Sequence, residues 1–173
     1  MSEGHELHVD PHDSYGKRVG AQAAILAVLL SVFTICAHRA HTETIVLQND
    51  SNDQWSQYQA KRIRDYQLEM NLDILKVVGA TSPESTSLTK AYATKHEEYR
   101  KELEELKNDA KIVGAKSMLS EKKAMYFDFA EGVLEISLVM SSLYFLSHKK
   151  MFPRFGLLFG LVGALAGFLG LLL

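Results

Sequence analysis

Apolar positions are segregated along this chain into three blocks. Val19 to Ala37 is a run of 19 residues without a charge, Phe155 to Leu173 is a second run of 19, and Val133 to Leu146 is broken only by Glu135. At 1.5 Å per helical residue, such a run covers roughly 28 Å, close to the ~30 Å hydrocarbon core of a bilayer. The pattern predicts an all-α chain with transmembrane helices over 19–37, 127–146 and 155–173, and a lipid bilayer as its first partner.

The stretch 38–126 reads differently, with 14 Lys+Arg and 14 Asp+Glu in a segment that is densely charged and neutral overall. It predicts an extramembrane antiparallel helical hairpin, similar to a coiled coil. Gly79-Ala-Thr-Ser-Pro-Glu84 supplies the turn: Gly79 can end a helix, Ser82 can cap the next, and Pro83 suits a first helical position. In the first arm Ile63, Tyr66, Met70, Ile74 and Val77 recur at helical steps; in the second, Leu88, Tyr92, Tyr99, Leu103, Leu106, Ala110 and Val113 do the same. Each stripe is expected to be covered by the other arm or by another chain. With no Gly or Pro between Gly20 and Gly79, the first arm can continue directly from the first span, whereas a bend is expected near Gly114 to Ser120. No alternating pattern predicts a strand.

Residues 1–18 form a polar, histidine-bearing head that ends in Lys17 and Arg18. The apolar run that follows is longer than the 7 to 15 residues of a signal peptide, so an uncleaved anchor is expected. Residues 147–154 form a short basic loop carrying Lys149, Lys150 and Arg154. The positive-inside bias places this loop and the amino terminus together in the cytoplasm and sends the hairpin outward, while Arg39, Lys122 and Lys123 pull mildly the other way.

Composition removes several functions. A net charge of −2 provides no basic field for nucleic acid. The one cysteine, Cys36, lies inside an apolar run, so no intrachain disulfide and no cysteine metal cluster can form. No phosphate loop, nucleophile elbow or HExxH motif occurs, and a two-helix hairpin offers few concave walls, so neither an enzyme nor a small-molecule substrate or cofactor is expected.

Four constellations remain. Gly156, Gly160, Gly163, Gly167 and Gly170 form one stripe, which in lipid is useful only where another helix approaches closely; the partner can be this chain's own span, a copy of it or a foreign subunit. Asp128, Glu131 and Glu135 occupy one face of the second span at increasing depth, where carboxylates need partners. His38, Arg39 and His41 can pair with the first two, whereas Glu135 has no evident base and is open to a proton-binding or intersubunit role. His5, His8 and His12, with Asp10 and Asp13, are weak metal candidates because their spacing matches no closed site and Pro11 interrupts any helix that would align them. Trp55, Tyr58, Gln59 and Arg62, in an amide-rich stretch, form either a partner-contact face or the packed root of the hairpin.

The run Leu47-Gln-Asn, Ser51-x-Asp53-x-Trp55, Tyr58-Gln-Ala-Lys61, placed between a first span and a charged hairpin that two further spans follow, resembles the bacterial family named domain of unknown function 4337. The resemblance covers most of the chain and implies an inner-membrane protein with three spans; it implies no activity and no catalytic residue. The leading expectation is a non-catalytic membrane structural or accessory subunit that packs with itself or with a larger complex. An oligomeric proton or ion channel using Glu135, Glu131 and Asp128, and metal binding by the amino-terminal histidines, are the alternatives.

Overall fold

The computed structural model describes residues 13–79 and 82–173, which form three α-helices: α1 (Ser14–Val78), α2 (Pro83–Ser147) and α3 (Met151–Leu172). No strand occurs among the described residues. All three helices are long and apolar enough to cross a membrane.

Local chemistry sets each helix end. Asp13 starts α1 by accepting hydrogen bonds from the backbone N–H of Gly16 at 2.8 Å and of Tyr15 at 3.0 Å, filling the need of a free helix amino end. Those bonds, the Gly16 amide foremost, hold the Asp13 carboxyl below the usual carboxylate range. Gly79 follows α1 with φ +63°, a left-handed conformation that glycine adopts without a Cβ penalty. The hydroxyl of Ser82 then accepts from the Ser85 amide at 3.1 Å, and Pro83 is the first residue of α2. Between α2 and α3 the reversal is shorter than the basic loop expected at 147–154. Only residues 148–150 lie outside the helices, with His148 at φ 52°, and Met151 to Arg154 already belong to α3. Pro153 is tolerated there because amides in a first turn have no intrahelical acceptor.

The bend expected at Gly114 to Ser120 does not interrupt α2. Gly114 instead serves close approach, since a Cβ there would sit 3.4 Å from the Ser51 hydroxyl on α1.

The chain forms two compact units, one containing Glu121–Leu173 with the described residues up to His41, the other Thr42–Ser120. In the first unit α1, α2 and α3 share a core of Leu26, Phe33, Ala37, Ala40, Ala124, Phe127, Ala130, Leu134 and Ala166. Val19, Tyr144 and Pro153 are also buried, and the remaining interior is small: all five glycines of the α3 stripe are buried, as are Ser137 and Ser141. Large aliphatic side chains point outward, among them Ile25 at 64%, Leu161 at 60% and Leu165 at 65% exposure. This inverts the arrangement of a water-soluble bundle.

In the second unit α1 and α2 pack as an antiparallel hairpin. The inward residues of α1 are Thr44, Leu47, Ser51, Gln54, Tyr58, Lys61, Asp65, Leu68, Leu72 and Leu75, at alternating steps of four and three. The first-arm stripe singled out above therefore faces away from the seam: Ile63, Tyr66, Met70, Ile74 and Val77 are all more than half exposed. In the second arm Tyr92, Tyr99, Leu103, Leu106, Ala110 and Val113 do turn toward α1, and Leu88 stays exposed.

Candidate functional site

The most closely built region of the apolar unit is the face of α3 that carries the glycines. Each glycine receives a specific group from α1 or α2 of the same chain. Gly156 lies against Ser137 and Ser141, where a Cβ would come within 2.9 Å of the Ser137 carbonyl oxygen. Gly160 meets the Leu26 side chain and the Ser137 hydroxyl, and Gly163 meets Leu134 and the carbonyl of Ala130. Gly167 accommodates the ring of Phe33, and Gly170 accommodates that of Phe127. Phe33 is further fixed by a stacked contact with Phe127, centroids 6.3 Å apart, and an edge contact with Phe168 at 5.9 Å.

Hydroxyls finish this interface. Ser137 donates to the Gly156 carbonyl at 2.5 Å and Ser141 donates to the Ser137 carbonyl at 2.9 Å, so both buried hydroxyls are satisfied by backbone. Gln22 bridges all three helices, its amide nitrogen donating to Ser141 at 3.2 Å and to the Pro153 carbonyl at 3.1 Å. At the same end of the unit, Tyr144 donates to Asp13 at 3.0 Å and meets Tyr15 edge to face, and Lys150 sits over the Tyr15 ring.

The three carboxylates of α2 meet three different surroundings. Asp128 accepts from or pairs with His41, whose Nε2 is 3.0 Å from both carboxylate oxygens, on an exposed surface. Glu131 turns inward and accepts from the hydroxyl of Thr34 at 2.9 Å. Glu135 lies exposed on the outer face of α2, one helical turn from the exposed apolar side chain of Val139. The structure therefore does not bring the three together around one cavity.

In the charged unit the seam is polar. Ser51 donates to the Ala110 carbonyl at 3.1 Å, Ser117 to the Thr44 carbonyl at 3.2 Å, and Ser120 to Glu43 at 3.1 Å. Lys61 is hydrogen-bonded to Glu102, and that bond holds the Glu102 carboxyl below the usual glutamate range. Asp65 Oδ1 lies 2.7 Å from His96 Nδ1, with side chains only 12% and 24% exposed. Neither buried atom has a hydrogen-bond partner, so each is compensated only by its ion-pair contact with the other.

Trp55 and Tyr58 are half-buried and meet edge to face at 5.5 Å. Arg62 donates to the hydroxyl of Tyr66 at 2.7 and 3.0 Å and to that of Tyr58 at 3.4 Å, and the Tyr66 hydroxyl raises the guanidinium above its ordinary value. Gln59 is exposed beside them. The open groove that Arg62 lines, about 830 Å³, mixes basic side chains (Arg62, Arg100, Lys101, Lys107, Lys111) with acidic ones (Asp65, Glu97, Glu104), so its charge is mixed with a basic excess.

His5, His8 and His12 lie outside the described residues. Among the described residues no group of three or more His, Cys, Asp or Glu side chains is arranged to hold a metal ion. Sequence reasoning missed Phe33, the Ser137-Ser141 pair and the Asp65-His96 pair. The two serines, at i and i+4 inside an apolar run, were the available signal, whereas nothing local marks Phe33 as the ring that a distant glycine accommodates.

A family model described as a domain of unknown function (DUF4337) matches residues 16–173. No curated protein and no solved structure matches the chain.

Proposed function

This chain belongs to the DUF4337 family, and from its packing we propose that it is a non-catalytic integral membrane subunit, structural or accessory in role. The observation that carries this reading is the outward-facing leucine, isoleucine and valine of this unit, around an interior where glycine, alanine and serine pack against Leu26, Phe33, Phe127 and Leu134. Water would penalise that surface heavily, whereas hydrocarbon makes outward leucine free and leaves close backbone contact as the force that assembles helices. Lys17, Arg18, Lys149, Lys150 and Arg154 favour a cytoplasmic amino terminus and loop, with the coiled-coil-like hairpin in the periplasm of a bacterial inner membrane. The contacts of Asp13 and Tyr15 with Tyr144 and Lys150 support a common side for these segments.

Because the glycine face is filled by the chain's own helices, association with further subunits uses other surfaces, among them the outward stripe of Ile63, Tyr66, Met70, Ile74 and Val77. Two measurements test the reading. Alkaline carbonate extraction of native membranes should leave the chain in the pellet, and its release would overturn the membrane assignment. Purification in mild detergent followed by native mass spectrometry should give an assembly heavier than the 19.4 kDa chain. A ladder of identical subunits means self-association and co-purifying foreign chains mean an accessory role; a bare monomer would overturn the subunit reading.

Glu135 supports a second reading, an oligomeric proton or ion path. It is exposed on an apolar outer face and so would meet lipid or a neighbouring subunit. Under that reading Glu135→Gln abolishes flux in reconstituted vesicles without dissociating the assembly; unchanged flux would exclude it.

A further inference from the structure

We propose that the groove between α2 and α3 at the Lys122 end of the apolar unit is a binding site for an anionic phospholipid. Its walls are Met125 and Phe129 from α2 and Val162, Leu165 and Leu169 from α3, enclosing about 600 Å³. Ala166 forms the floor, 9% exposed, and its small side chain leaves the groove open. The polar groups along the lining belong to Lys122 and Tyr126, at the groove's amino-terminal end on α2.

That distribution matches one occupant better than others. From Phe129 back to Lys122 is two helical turns, roughly 10 Å, which is the span of the upper part of an acyl chain beneath its headgroup. An acyl chain needs apolar walls throughout and a cation only where its phosphate emerges. Lys122 is exposed and forms no ion pair among the described residues, so its ammonium is available to a phosphate. Tyr126 supplies the aromatic group with a hydroxyl that favours the headgroup level. The arrangement recurs between α1 and α3. There a groove of about 420 Å³, walled by Ile25, Leu29, Leu157 and Leu161, has Arg18 as its cation. Two grooves, each apolar along its length with one cation among its lining residues, fit lipid better than they fit a peptide helix, which would need no cation at that place.

This inference rests on the membrane reading, and the experiment separates the two. Full-length protein in mild detergent is incubated with phosphatidylglycerol or phosphatidylcholine of matched chains, and retained lipid is counted by native mass spectrometry. Wild type should retain phosphatidylglycerol preferentially. In an Arg18→Gln background, where the second groove has lost its cation, Lys122→Gln should cut that preference about fivefold, the worth of one interfacial lysine, while Lys149→Gln leaves it unchanged. Ala166→Leu should fill the floor and reduce retention of both lipids. An unaltered preference when Lys122→Gln is added to that background, or equal retention of the two lipids by wild type, would overturn the site while leaving a carbonate-resistant chain in the membrane. Release of the wild type by carbonate would overturn both.

Discussion

A methyl group added at Gly156 or Gly163 would sit 2.9 Å from the Ser137 carbonyl oxygen or 3.1 Å from that of Ala130, and a backbone oxygen cannot swing aside. Gly156→Ala and Gly163→Ala are therefore expected to destabilise the three-helix unit by about 1–3 kcal/mol each, the usual cost of overpacking. Gly132, with nothing within 4 Å of its added carbon, is the internal control. Gly132→Ala should leave stability unchanged or raise it by up to ~1 kcal/mol through helix propensity. Thermal unfolding of the three variants in one detergent checks the contrast. The glycine spacing alone was enough to predict a close helix contact. The partner was not legible, because a stripe describes one surface and Phe33, Leu26 and Leu134 occur far from it in sequence.

Within the hairpin, the two helix ends at the turn were legible in local residues: Gly79 takes the left-handed conformation after α1, the Ser82 hydroxyl caps α2 and Pro83 opens it. The inward face of the first arm was not. Counting apolar positions favours Ile63, Met70 and Ile74, yet the seam uses Ser51, Lys61 and Asp65, whose partners Ala110, Glu102 and His96 lie 59, 41 and 31 residues away. Asp65→Ala should destabilise the hairpin by about 1–3 kcal/mol by stranding His96, whereas Asp65→Leu combined with His96→Leu should be close to neutral. Chemical denaturation followed by helical signal distinguishes them. The pair also fixes register: a slip of one heptad would set Asp65 against Leu103 and His96 against Leu72, so both polar groups would lose their partners. Acid acts on the neighbouring pair. The Glu102 carboxyl is lowered in the fold by Lys61, so its contribution is fully present above the ordinary glutamate range and disappears as pH falls through the lowered folded value. Lys61→Met should remove that acid-side loss, as read from the pH dependence of unfolding between neutral and acid buffer.

For the molecule as a whole, three apolar runs and a charged insert between two of them were visible as composition, because lipid-length helices need nothing beyond length and the absence of charge. Inverted packing was not visible, since it depends on which of many apolar residues turn inward. Sidedness can be read with single cysteines in a Cys36→Ser background. On intact cells with an opened outer membrane, an impermeant maleimide should label Ser87→Cys, and Lys149→Cys should react only after the inner membrane is permeabilised; the reverse pattern would invert the topology. The charged unit is one uninterrupted segment, Thr42–Ser120, whereas the apolar unit is assembled from the chain on both sides of it. Its first and last turns are neighbours, joined by the Ser120 hydroxyl on Glu43 at 3.1 Å. The hairpin is thus an insertion whose two ends meet, and the chain can be spliced there. Joining His41 to Glu121 through a short flexible linker should leave a shortened protein that still inserts and unfolds cooperatively, so hairpin length can be changed without rebuilding the anchor.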